Sequence, residues 1–141
     1  MKYLVILSLI SSPVLAAKIE VNTYYTSLDY AQVTHVAANQ RTSGNWCFDT
    51  SVKHNDQGWD HYADRWEVLD LAGNELGFRT LGHPHDNEQP FTRSRCQINI
   101  PAKTTQVIVR AKCNVHGFGG AAVLVDLNGD KTDSYSVNRG K

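Results

Sequence analysis

Between residues 105 and 115 apolar and polar side chains alternate with a period of two: Val107, Val109 and Ala111 fall on one side, Arg110 and Lys112 on the other. A chain with that pattern pleats, because successive side chains of an extended backbone point to opposite faces and only one face is fit for a core. The period recurs. Residues 46–52 set Trp46, Phe48, Thr50 and Val52 against Cys47, Asp49 and Ser51. Residues 32–39, 66–71, 77–81 and 92–100 are strand-forming runs, and 121–127 is a short apolar one. The pair Asn128-Gly129 is expected to close a two-residue hairpin, with residues 130–137 returning as an edge strand. No stretch of helical period and useful length competes, and there is no internal repeat.

Seven to eight short strands separated by turn signals predict an all-β fold, an antiparallel β-sandwich of the immunoglobulin or fibronectin type III kind, over residues 31–141. Residues 17–30 are an added strand or an arm. In such a sandwich successive connections emerge at alternate ends. The short turns, 41–45, 72–75 and 101–104, should lie at one end. Three longer polar stretches, 54–64 (HNDQGWDHYAD), 83–94 (HPHDNEQPFTRS) and 114–120 (NVHGFGG), should meet at the other. Five of the six histidines lie in them, so any function is expected at that end.

The first 16 residues are set apart from the fold. Lys2 leads into the apolar run 4–10, and Val14 and Ala16 fit the small-residue pattern of a leader cleavage site. The run is too short to span a bilayer, and no cysteine follows it in lipid-anchor position. A periplasmic or secreted protein without membrane insertion is expected, a monomer or weak dimer. With 14 basic and 14 acidic side chains, one of the basic ones in the leader, the chain lacks the concentrated positive surface that nucleic acid or anionic lipid requires.

Cys47, Cys96 and Cys113 are odd in number for an oxidising compartment. Cys96 shares strand parity with Ile98 and Ile100, and Cys113 with Val107, Val109 and Ala111. A bridge Cys96–Cys113 between the sheets is therefore expected, with an outward Cys47 left free. Three unbridged, partly buried thiols are the alternative.

The pieces GWDHYADRWEV (58–68), LGHPHDNEQPFTRS (81–94) and VHGFGG (115–120) resemble the shared blocks of a family of small exported bacterial proteins, with similarity over residues 45–127. The resemblance implies export and a common assembly of the three loops. It implies no particular reaction, and the cysteines stand outside the blocks.

Most donor chemistry lies in the middle loop. Pro84 biases His83 toward extended backbone, and imidazoles two residues apart in extended chain can turn to one side, near Asp86 and Glu88. Neutral imidazoles, a carboxylate and a stiff backbone suit a transition metal. The expected ligands are His83 and His85 with Glu88 and at least one of His61 and His116, His54 being a further candidate; zinc and copper both fit. The plainer reading makes these histidines hydrogen-bonded struts. Trp59 and Phe118, with Asp60 and Arg93, suggest instead a recognition surface for an exported protein or a glycan. Arg93 and Arg95 are expected to pair with Asp64 and Glu67, and His35 is an ordinary strand histidine. Asp126, Asn128 and Asp130 imitate a calcium loop, but Lys131 and Val137 occupy the positions that need glycine and glutamate. Catalysis would need an open metal position or Glu88 acting with a histidine. There is no nucleophile motif and no phosphate-cradling glycine loop, so a non-enzymatic role is preferred.

Overall fold

The computed structural model describes residue 19 and residues 21–140, so the expected leader lies outside the described residues. These form β1 (Gln32–Gln40), β2 (Trp46–Lys53), β3 (Ala63–Leu69), β4 (Glu75–Thr80), β5 (Phe91–Ile98), β6 (Gln106–Cys113), β7 (Gly117–Phe118), β8 (Val123–Asp126) and β9 (Tyr135–Asn138), with no helix among them. One sheet has the order β5-β2-β1-β9. The other has the order β4-β3-β6-β7, with β8 also pairing β6. The fold is therefore the all-β sandwich read from the alternation.

Inward residues of the two sheets form one core around Phe48, Val52, Trp66, Val68, Phe91, Ile98, Val107, Val109 and Val125. Trp66 and Phe48 are fully buried, and removing a side chain of that size from water stabilises a fold by about 2–3 kcal/mol. A smaller patch, Leu69, Ile108 and Ala122, lies under Ile19 and Val21 of the arm. The arm forms no strand in its described part; Asn22 is fixed by Ala122, whose amide donates to its carbonyl at 2.7 Å.

Three expectations are corrected. β9 does not return beside β8; it crosses to the other sheet and runs parallel to β1, pairing Val36 with Tyr135 and Ala38 with Val137. A two-residue hairpin turn of the Asn-Gly type needs positive φ at both central residues. Neither Asn128 nor Gly129 has it. Instead the Asp126 carboxylate accepts the Asn128 amide at 2.9 Å, and Arg139 donates to the Leu127 carbonyl.

The second correction is the disulfide. It joins Cys47 to Cys96, and Cys113 is free and buried. Cys47 lies on the outer face as its parity required, but the parity of β5 breaks at Gln97, whose φ is +58°. The β2–β5 register also shifts between Trp46 and Phe48. One irregular residue lets Ile98 point inward while Cys96 stays outside, across from Cys47.

Third, Arg93 and Arg95 do not pair with Asp64 and Glu67. Those acids lie on β3, in the other sheet from β5, and meet their neighbours on β6: Lys112 Nζ is 2.7 Å from Asp64, and Arg110 Nε donates to Glu67 at 2.8 Å.

Short turns close one end of the sandwich, with hydrogen bonds such as Arg41 to Asn45 and Thr104 to Pro101. The three polar loops meet at the other. Gly58 donates its amide to Asp86, Tyr62 donates to the Asn114 side chain, and His54 donates its amide to Gln89.

Candidate metal centre

The chain leaves β6 at Cys113 and returns as β7 at Gly117, its antiparallel partner, so residues 114–116 form a three-residue hairpin loop. Gly117 closes it at φ +69°, the left-handed position that such loops place after the turn. Cys113 and His116 are thereby held on one tight loop with two residues between them. The Cys113 sulfur accepts the amides of Val115 at 3.3 Å and His116 at 3.5 Å. Amides two and three residues on, aimed at a sulfur, favour its electron-rich, metal-bound form. Further along, Gly120 lies so close to the next segment that a Cβ there would meet the Ala31 carbonyl oxygen at 2.0 Å. That approach draws Asp29 and Tyr30 over the loop end.

Two histidines from the loop after β2 face the hairpin. His61 Nε2 is 3.2 Å from His116 Nδ1, and His116 Nδ1 is 3.6 Å from the Cys113 sulfur. Donor atoms of His54, His61 and Cys113 all lie within 4.8 Å of one another, the one such group of three among the described residues. A tetrahedral ion at about 2.3 Å from sulfur and about 2.0 Å from nitrogen sets S–N and N–N edges of about 3.5 and 3.3 Å. The geometry fits. Cys113 and His54 are buried, His61 half-buried and His116 exposed, so a cation can enter past His116.

The outer nitrogens say which lone pairs are free. His61 Nδ1 is 3.3 Å from the Gln57 side-chain oxygen, and in the tautomer with the proton on Nδ1 the Nε2 lone pair is left toward His116. In that tautomer a proton on His116 Nδ1 bridges the 3.2 Å gap, the position a cation would take over. His54 is committed on both sides: Nδ1 meets Asp56 at 2.6 Å, and Nε2 lies 3.1 Å from the Asp29 carbonyl oxygen.

Asp56 ties this cluster to the middle loop. Its two oxygens accept the amides of Ala63 at 3.0 Å and His85 at 2.7 Å besides the His54 bond. Burial alone pushes its carboxyl up, but the His54 bond and the two amides outweigh it and hold the group below its usual 3.8. His85 stacks on Phe91 with ring centres 3.8 Å apart, and its Nε2 accepts Arg93 Nη2 at 2.8 Å. Burial, then the charge of Arg93, keep His85 below the ordinary imidazole value of 6.5.

Of the expected ligands, the structure brings His61 and His116 together and adds His54. His83 and His85 lie with ring centres 4.4 Å apart but outside that group, with His83 Nδ1 turned to the Pro84 carbonyl. Glu88 is 3.6 Å from Arg93. Trp59 is 65% exposed and meets Tyr62 edge-on, Asp60 is exposed, and Phe118 lies under the Arg110 guanidinium. Reading by parity assigned Cys113 to a disulfide and so missed it as a donor. The signal was present in the Cys-x-x-His spacing, the separation at which one tight turn presents two ligands. Nothing in the residue types marks the Asp29 carbonyl, since every residue carries one.

No family model matches the chain, and no solved structure matches it. It is 40% identical over 112 residues to a protein of Halomicrobium mukohataei named "Putative lipoprotein", a match covering 78% of this chain and 55% of the relative. The chain thus spans about half the length of that relative.

Proposed function

We propose that this is an exported, non-enzymatic protein that binds a transition metal ion, zinc or copper, through Cys113, His61 and His116, with His54 at the fourth side. The observation that carries the reading is the approach of one sulfur and one imidazole nitrogen to His116 Nδ1 at 3.6 and 3.2 Å. Export is supported by the leader pattern of residues 1–16 and by the name of the Halomicrobium relative; export is all we carry over from that name.

The test is calorimetric titration of chelator-stripped protein with Zn(II) and Cu(II). Submicromolar binding is expected, lost in the Cys113→Ser, His116→Ala double variant and kept in His83→Ala. Equal binding by wild type and double variant overturns it. A second reading rests on Trp59, whose exposed ring borders an open cleft of about 560 Å³ lined also by His83, Asp86 and Glu88. An aromatic face beside carboxylates suits a glycan or an exported protein partner. Absence of metal binding together with quenching of Trp59 fluorescence by oligosaccharide favours that alternative.

A further inference from the structure

The donor set also bears on which metal is held, a question that rests on the metal-binding reading above. A structural zinc site is closed by four strong nitrogen or sulfur donors. Here three are free: the Cys113 sulfur, His116 Nδ1 and His61 Nε2. The fourth neighbour, His54, is itself buried, with the buried Asp56 on Nδ1 at 2.6 Å and the Asp29 carbonyl on Nε2 at 3.1 Å. Drawing its Nε2 to a metal would break the latter contact inside the protein. The Asp29 oxygen itself lies 3.4 Å from His61 Nε2, in place to be a long, weak contact to an ion held by His61. Two imidazoles, one thiolate and a distant backbone oxygen form the ligand set of mononuclear copper–thiolate electron-transfer sites.

From this arrangement we infer that Cys113, His61 and His116 form a three-donor copper–thiolate site, with the Asp29 carbonyl as its weak fourth contact and His54 as a wall rather than a ligand. Such a centre exchanges one electron. Cu(II)–thiolate accepts an electron from an external one-electron carrier and becomes Cu(I)–thiolate, with no bond made or broken and no proton moved. The exposed imidazole of His116 is the side from which a carrier can approach. Beside it, the Tyr30 ring centre lies 5.6 Å away.

The experiment is anaerobic addition of Cu(II) to the purified, chelator-stripped chain, followed by visible absorption, with zinc in a parallel titration. One equivalent is expected to give an intense sulfur-to-copper charge-transfer band that ascorbate bleaches and ferricyanide restores. The band should vanish in Cys113→Ser and persist in His54→Gln. Because His54→Gln removes a buried partner of Asp56 and so weakens the fold, X-ray absorption of the wild-type copper form supplies a second measure: one sulfur and two nitrogens at short distance. Copper bound without the band, loss of the Cys113 thiol without colour, or three short nitrogens at the ion overturns the copper–thiolate assignment while leaving metal binding standing. No uptake of either metal overturns both.

Discussion

At the loop end of the sandwich two histidine clusters sit side by side, and they differ in what their nitrogens already do. In the middle loop His83 and His85 are close in sequence and in space, yet His85 is stacked on Phe91 and its Nε2 accepts Arg93 at 2.8 Å. Its free face is spent on packing, and a guanidinium beside the nitrogen repels any cation. In the other cluster His61 and His116 are 55 residues apart, and each turns a nitrogen toward the other, with a buried sulfur 3.6 Å from that of His116. Donor availability, more than donor density, makes the second cluster the one proposed to hold a metal.

The largest effect is expected at Asp56, which both clusters share. Asp56→Ala strips a partner from buried His54 and from the amides of Ala63 and His85. Each buried polar group left without its partner costs about 1–3 kcal/mol, readable as a fall in the urea midpoint, and metal affinity should fall with it as His54 swings free. A loss below about 1 kcal/mol would show that the two clusters are not joined through this carboxylate. Phe91→Leu comes next. It removes the ring under His85 from a fully buried position, at about 1–2 kcal/mol, and should leave metal uptake unchanged.

The alternation made the sandwich legible, and with it the meeting of three remote loops, because parity and alternate connections are properties of the backbone alone. What could not be read were events that depend on one residue's φ or on a crossing of the chain. Gln97 at φ +58° reversed the side of Cys96, and with it the disulfide. Asp126 caught the Asn128 amide and turned a hairpin signal into a crossover. The centre itself needed both kinds of information: His61 and His116 were placed by topology, whereas Cys113 became available only because its expected partner bonded to Cys47.

The third test uses pH. His85 titrates below its unfolded value of 6.5 when folded, so its contribution to stability is complete above that value and is lost as pH falls from it toward the lower folded value. Asp56 behaves likewise from 3.8 downward. Thermal melting should therefore decline in two stages, the first starting near neutrality. Arg93→Met removes the charge that helps hold His85 neutral. Its imidazole resonances should then titrate closer to 6.5, and the first stage should shrink.

The smallest effect is expected at His83, and it bears most directly on the comparison. The side chain is exposed, its Nδ1 is turned to the neighbouring Pro84 carbonyl, and its close ring neighbour is an imidazole already engaged by Arg93. His83→Ala should change stability by less than about 0.5 kcal/mol, as exposed substitutions generally do, and leave zinc and copper affinity as they were. A tenfold loss of metal affinity in this variant, with Cys113→Ser neutral, would reverse the assignment. It would mean that Arg93 leaves His85 on binding and that the pair favoured by sequence spacing is the true donor set. With Arg93 held against His85 at 2.8 Å and Glu88 at 3.6 Å, that rearrangement breaks two charged or buried contacts to form one site. The Cys113 cluster would give up the proton between two imidazoles and the proton of the Cys113 thiol, and would break no contact to a charged side chain.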